Sequence, residues 1–298
     1  TMVNARIRKA YLNNNNKIIS LNDVGDLTYP YKFLDGKTQT IKDITENKNE
    51  ISKNIIDSKK PMIILGESFL NTKSANYLFY SLKNFLLKNN KFSDDWNPIN
   101  VLSTDAATVG KYDLDIINKD EDLIKELNEN KFELIYLLGQ DNLDFNKKNE
   151  FVIYQGSHGD RGAEIADIIL PGAAYTEQSS HFTNLEGKIQ KAFKASYPPG
   201  EAKEDWQIIN ELAEMMNNRK LFNDKDELVS SMFNFLNLKK EKQKSSSIKE
   251  INQNNFENED LKIDSKNYYF SNVIARSSKT MLDCYNSKLD IKRTGTEG

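Results

Sequence analysis

Apolar residues in this chain gather in short runs set apart by long polar stretches. The clearest are Pro61-Met62-Ile63-Ile64-Leu65 before Gly66, Phe132 to Leu138 before Gly139, Phe151 to Tyr154 before Gln155-Gly156, and Ile168-Ile169-Leu170 before Pro171-Gly172. A near-continuous apolar run this short predicts a strand covered on both faces, the situation of a parallel sheet. Lys17 to Leu21 is a shorter candidate, turned by Asn22-Asp23 and Gly25. Between the runs the period changes. Ala75, Leu78, Phe79, Leu82 and Leu86 share one helical face, while Lys73, Lys83 and Lys88 point away. Asp120 is placed to cap a helix carrying Leu123, Ile124 and Leu127, which Asn130 ends. A further helix runs from Ala202 to Met216. Pro198-Pro199-Gly200 fixes its start, Glu204 and Asp205 sit at its positive end, and Trp206, Ile209, Ala213 and Met216 form its core side. Strand alternating with helix predicts an α/β fold, a parallel sheet with helices on both faces. Its crossovers are right-handed. Its functional edge lies beyond the strand carboxyl ends, where Gly66, Gly139-Gln140-Asp141 and Gly156 to Gly162 gather.

After Leu238 the character changes. Lys239 to Ser247 and the polar stretch to Asp264 bury little and predict a solvated linker or disorder. Tyr268-Tyr269-Phe270 and Ile274 then restore apolar content, as a tail that docks on something would need. The expected division is an α/β domain over 1–238, a polar linker over 239–266 and a docking tail over 267–298. A chain of 298 residues can bury a sizeable core. Its mean hydropathy of -0.67 and the lack of any apolar run near the roughly 18 residues of a membrane span leave membrane association to partners. A net charge of -3 from 41 basic and 44 acidic residues gives no electrostatic case for nucleic acid. Cysteine usage decides more: Cys284 alone permits neither an internal disulfide nor an iron–sulfur cluster, which takes four ligands. The opening Thr1-Met2-Val3 with Arg6, Arg8 and Lys9 reads as neither a secretory signal nor a transit peptide.

The candidate chemistry centres on Phe151 to Gly187. Gly156, Gly159 and Gly162 recur every third residue, which lets the backbone take positive φ or lie close against another group. They fit neither the dinucleotide fingerprint nor a Walker loop. His158 with Asp160 suggests a metal or a catalytic pair, yet the only other histidine, His181, stands 23 positions on without a cysteine partner, a poor zinc set. Asp167, Glu177 and Glu186 are either an acid–base group or acceptors of backbone N–H bonds that hold loops in shape. Tyr175, Phe182 and Tyr197 read as core or loop packing, and Cys284 as a small half-buried residue. Neither a G-x-S-x-G elbow nor a dinucleotide fingerprint is present to support a free-standing hydrolase or dehydrogenase.

The run Ala166 to Gly172, then Glu177 and Phe182-Thr183-Asn184-Leu185-Glu186-Gly187, resembles the signature of the molybdopterin oxidoreductase family, in which this loop lies near a pterin–nucleotide cofactor. Gly156 to Glu177 with Pro198-Pro199-Gly200 and Glu204-Asp205-Trp206 further resembles the carboxyl-terminal portion of the large iron–sulfur subunits of respiratory complex I. Asn4 to Lys9, Asp26 to Tyr29, Lys59 to Met62 and Ser277 to Met281 resemble segments of the same family in the same order. The resemblance implies a molybdopterin oxidoreductase-like fold and a non-catalytic structural part of complex I, supporting electron transfer from NADH to ubiquinone. It implies no catalytic, cofactor-binding or metal residue on this chain, with iron–sulfur clusters and FMN on partner subunits of the peripheral arm. It also implies the matrix side of the mitochondrial inner membrane, with the bacterial cytoplasmic side as the alternative. The family's clusters belong to an amino-terminal portion, so a split subunit with that portion as a separate chain is the expected arrangement, and a truncated chain would read the same. The competing expectation is a working molybdopterin-dinucleotide oxidoreductase fragment. In such enzymes the metal's Cys, selenocysteine or Ser ligand precedes the motif found here, whereas Cys284 follows it.

Overall fold

The computed structural model describes residues 2–116, 123–140, 143, 145–242, 248, 250–252, 255–262 and 267–291. Asp120, Asp141, Asp264 and the 243–247 end of the lysine- and serine-rich run, all used in the expectations above, lie outside them. The chain forms two compact units, Thr1–Asp105 with Lys244–Ser265 and Ala106–Gln243 with Lys266–Gly298, in place of the expected domain over 1–238 with a linker and a tail.

The first unit opens with helix α1 (Met2–Asn14), then pairs β1 (Ile19–Ser20) with β2 (Lys32–Phe33) in parallel. Helices α2 (Thr38–Thr45) and α3 (Glu50–Asp57) follow. Strand β3 (Ile63–Gly66), the short helix α4 (Glu67–Leu70), helix α5 (Ala75–Lys88) and strand β4 (Ile99–Leu102) complete a strand–helix–strand element, with β3 and β4 parallel from Ile63 beside Ile99 to Gly66 beside Leu102. Leu78, Leu82 and Leu86 of α5 are buried, but so are Tyr77, Ser81 and Phe85. The buried face is wider than the apolar stripe predicts because α2 packs on α5 as well, and Ile41, Leu65, Phe69 and Ile99 share that core. Coverage of β3 on both faces is not seen: Leu65 is buried while Met62 and Ile64 are exposed.

The expected linker is corrected most clearly at 255–262. This segment returns to the first unit, where the Phe256 ring lies tilted at 5.4 Å from Tyr77 and Leu261 packs against the same core. Its main chain is held by two hydroxyls. Thr38 Oγ1 accepts from Glu259 N at 2.9 Å and donates to Glu257 O at 3.0 Å, while Ser74 Oγ accepts from Glu257 N at 2.7 Å. Thr38 N donates to Glu259 O and Leu261 N to Gly36 O. A polar composition says nothing of backbone groups, and these are what hold the strap.

In the second unit, α6 (Thr108–Asp113) and α7 (Leu123–Asn128) precede β5 (Leu134–Leu138). Strand β6 (Phe151–Gly156), the one-turn helix α8 (Arg161–Glu164) and β7 (Ile168–Pro171) follow. The order β5-β6-β7 is all parallel, with Leu134 beside Phe151 and Ile153 beside Ile168. One face of this sheet leaves Ile169 of β7 exposed but meets a core at β5 and β6. Ile135, Leu137, Val152 and Tyr154 are buried there with Leu127 and Phe145, backed by Ala163, Ile165 and Ala166. The antiparallel hairpin β8 (Ser180–Thr183) and β9 (Ile189–Ala192) comes next, then helices α9 (Asp205–Asn217) and α10 (Lys225–Lys242). A 3-10 turn (Tyr268–Phe270), α11 (Val273–Ser277) and α12 (Lys279–Ile291) end the described chain.

Helix α9 starts at Asp205, three residues after the expected Ala202, on a capping box between Glu204 and Gln207. Its inward face differs. Ile208 and Asn210 are buried, Trp206 is half-buried with its indole N–H on Glu204 Oε2 at 3.1 Å, and Ile209 and Met216 face water. Asn210 sets the rotation. Its amide donates to Phe222 O at 2.9 Å and accepts from Leu221 N at 2.8 Å, pinning the following loop.

Candidate functional site

The carboxyl ends of β5 and β6 meet as the strand–helix pattern requires. Gly139, with φ of 59°, turns the chain after β5 while its N–H donates to Gln155 O at 2.8 Å. Gly156 to Gly162 lies over the same edge. Gly66 closes β3, which belongs to a separate sheet in the first unit. The reason for Gly156 and Gly162 is space against one ring; none of the three has a positive φ, and nothing crowds Gly159. Tyr154, almost fully buried, lies beneath the loop and donates its hydroxyl to His158 O at 3.0 Å. A methyl at Gly156 would overlap that hydroxyl, and one at Gly162 would come within 2.7 Å of Gln140 O and 2.9 Å of the Tyr154 ring. A carbonyl oxygen in a packed loop cannot retreat as a flexible side chain can. Gly162→Ala is therefore expected to destabilise the second unit by about 1–3 kcal/mol, read as a lower denaturation midpoint with an unchanged denaturant slope.

The candidate acids and histidines are occupied with one another's loops. His158 Nδ1 lies 2.9 Å from Ser157 Oγ, whereas Asp160 caps α8 through Arg161 N at 2.8 Å and pairs with Arg276 Nε at 2.8 Å. The proposed His158–Asp160 pair is thus drawn to separate partners. Burial works to raise the Asp160 pKa, but the Arg276 guanidinium and the Arg161 N–H outweigh it and hold the carboxyl below its ordinary value. Asp167 accepts from Val152 N at 2.8 Å and from Lys147 Nζ at 2.6 Å, and the lysine followed by the N–H keeps its pKa low. Glu177 accepts from Ala174 N at 2.9 Å. These two hold loops in shape, as their setting in a turn-rich region suggests. Glu186 does not: Asn184 Oδ1 takes the N–H groups of Glu186 and Lys188 at 3.0 and 2.9 Å, and Glu186 only meets the Asn184 amide at 3.4 Å. His181, on β8, stands edge-on to Phe233 at 5.7 Å, and burial, then Lys191 and Lys225, push its pKa down. Among the described residues no group of three His, Cys, Asp or Glu side chains is placed to hold a metal ion.

Four residues read as packed or half-buried are exposed. Tyr175, Tyr197 and Phe182 are exposed, which rules out the core half of the core-or-loop reading; Tyr197 rests beneath Lys194 Nζ at 4.5 Å. Cys284 is exposed on α12, whose ring contacts run instead through Tyr285 to Tyr269 and Phe270. The pattern misses a polar hub beside the loop. Gln155, fully buried, donates to Asp205 Oδ1 at 2.7 Å and accepts from the Tyr136 hydroxyl, while Gln178 donates to Asp205 Oδ2 at 3.1 Å. Lys225 closes the other side of this region, bonded to Glu204 and to Ser179 O. The only advance signal is a glutamine ending an apolar strand.

A pterin nucleotide needs a cradle of free donors and room for its rings. Taken by itself, this loop does not fit one. The Tyr154 ring fills the space the glycines leave, Asp160 presents a carboxylate already paired with Arg276, and no buried side-chain polar atom among the described residues lacks a partner.

The molybdopterin oxidoreductase family model matches residues 1–215, well over half of the chain. The chain belongs to this family. A second model, for the carboxyl-terminal region of the NADH-ubiquinone oxidoreductase G-subunit, matches residues 230–284. The chain is similar to the NADH-ubiquinone oxidoreductase 75 kDa subunit of Reclinomonas americana, 35% identical over 95% of this chain and 42% of the relative. It is similar as well to the mitochondrial 78 kDa subunits of Candida albicans, at 34% over 95% of this chain and 40% of the relative, and of Neurospora crassa, at 32% over 96% and 40%. This family member therefore spans about two-fifths of the length of the curated relatives it matches.

The pairing of Asp160 with Arg276 joins the family's loop to the carboxyl-terminal helices. The sign of its pH dependence follows from the lowered pKa: the contribution is fully present above the ordinary carboxylate value of 3.8 and is lost as pH falls through the folded value below it. Asp160→Asn is expected to reproduce the acid effect at neutral pH, with faster hydrogen exchange at Arg276 and Ser278 and little change at Val152. Equal protection in both proteins would show that the pair does not hold the tail.

Proposed function

We propose that this chain is a structural, non-catalytic part of the large iron–sulfur subunit in the peripheral arm of respiratory complex I. It supports electron transfer from NADH to ubiquinone through clusters and FMN held outside it, and contributes no redox cofactor of its own. The observation that carries this reading is the likeness to 75 and 78 kDa subunits along nearly the whole chain, joined to the G-subunit carboxyl-terminal match at 230–284. Chemistry supports it. One cysteine cannot ligate a cluster, and the glycine loop is filled by the protein's own tyrosine.

The partners on this reading are the other peripheral-arm subunits, above all the cluster-bearing amino-terminal portion of the same subunit, which we place on a separate polypeptide. The location is the matrix side of the mitochondrial inner membrane, supported by the relatives named as mitochondrial, with the cytoplasmic side of a bacterial membrane as the alternative. No described helix is long and apolar enough to cross a membrane, so attachment would run through those partners.

Native purification tests the proposal. The chain should migrate with NADH-oxidising activity and with a cysteine-rich companion, and the assembly should hold iron but no stoichiometric molybdenum or tungsten. Molybdenum or tungsten at one equivalent per chain would favour the working pterin enzyme instead.

A further inference from the structure

The strands β5, β6 and β7 are apolar on both faces; one face meets a core at β5 and β6, while Ile169 at its β7 edge is 54% exposed. On the other, Leu134, Phe151 and Ile168 are 55%, 43% and 45% exposed, and Leu138 is 49% exposed. The parallel register sets Leu134 beside Phe151, Tyr136 beside Ile153, Ile153 beside Ile168 and Gln155 beside Leu170, so all share that face. Tyr136, Ile153 and Leu170 on this face are half-buried, and Gln155 is buried against the start of α9. No charged residue lies on the strands of this face. A sheet meant to face water on one side alternates apolar with polar residues, and parallel sheets are found with both faces covered. The pattern is that of a sheet built for a second layer.

We infer that this face is the docking surface for the portion of the subunit that the relatives carry beyond this chain's span, and that the portion lays an apolar helical layer across Leu134, Phe151, Ile153 and Ile168. Three observations select that occupant. The relatives hold about three-fifths of their length outside the matched region, enough for a whole layer. The match to a carboxyl-terminal family model puts this chain at one end of their sequence. The strands of the face bear no charged residue, and the nearby Asp205 is taken up by Gln155 and Gln178, which leaves hydrophobic burial as the force that holds its cover. The inference rests on the complex I reading and adds to it the surface by which this chain is held.

The test replaces Phe151, and separately Ile168, by photoreactive p-benzoylphenylalanine in the assembled native complex. Cross-linked peptides are then identified by mass spectrometry. Both positions should join to peptides that align with the part of the relatives this chain does not span. Cross-links confined to a second copy, another subunit or lipid would overturn the inference. Ile168→Glu should lower recovery of the chain in the complex at least roughly tenfold. A variant whose β5, β6 and β7 amides remain protected from exchange and whose recovery is unchanged would also overturn it. The two proposals fail separately. Loss of co-migration with NADH-oxidising activity sinks the complex I reading, whereas the identity of the cross-linked peptide still decides the surface.

Discussion

Tyr154→Ala should destabilise the second unit by about 3–5 kcal/mol, the cost of deleting a buried aromatic ring from a packed core. The ring does two jobs. It fills the centre of the β5–β6–β7 core beside Leu137 and Val152, and it forms the floor against which Gly156 and Gly162 lie. Its hydroxyl is the support for His158 O, at 3.0 Å. Tyr154→Phe separates these parts. It keeps the volume and removes one hydrogen bond, so it should cost only about 1 kcal/mol, and the Gly162→Ala penalty should persist in that background but shrink in Tyr154→Ala, where the ring no longer crowds the position. Denaturant unfolding of the single and double variants checks both statements. Equal losses from the Phe and Ala variants would mean that the loop hangs on the hydroxyl and that the ring is incidental.

That cycle bears on function as well as stability. A loop whose cavity is filled by an internal tyrosine has little room to collapse, which is what the proposed structural role would require. The acids around it are consumed in the same way. Asp167 ties the start of β6 to Lys147, Glu177 holds the turn after Ala174, and Asp205 gathers Gln155 and Gln178 at the first turn of α9.

How much of this is legible in the sequence depends on which force sets each position. The strands at 63–66, 134–138, 151–156 and 168–171 stand where apolar runs end in glycine or proline, because burial and turn chemistry agree there. Grouping them into one sheet goes too far, since adjacency in space follows pairing that periodicity does not encode. The inward face of α9 differs from the expected one because apolar residues surround most of that helix, so Asn210, a polar residue with three bonds to the following loop, decides the rotation. Charge singles out Glu186 over Asn184, yet the shorter Asn side chain is the one that reaches backbone N–H groups two and four residues on. The segment 255–262 is hardest of all. Its own residues are mostly polar, and the groups that fix it, Thr38 and Ser74, lie some two hundred positions away.

That strap carries the second large prediction. Thr38 and Ser74 are 0% and 1% exposed, and each accepts an N–H from the strap, Glu259 and Glu257 respectively. In the Thr38→Val, Ser74→Ala double variant both N–H groups lose their acceptors while the apolar packing is nearly preserved. Leaving such donors without partners costs about 1–3 kcal/mol each, and because the two sit on one segment the losses overlap, giving an expected total of about 2–4 kcal/mol for the first unit. Hydrogen exchange distinguishes this from general weakening. Glu257 and Glu259 should lose protection together, with Leu261 following, whereas the amides of β3 and β4 stay slow until global unfolding. Phe256 supplies the complementary control: Phe256→Ala keeps both hydroxyl contacts and removes the ring from Tyr77 and from beneath Lys42 Nζ, 4.3 Å away. If Phe256→Ala frees the strap and the double variant does not, burial of that ring rather than the two hydroxyls holds 255–262 in place.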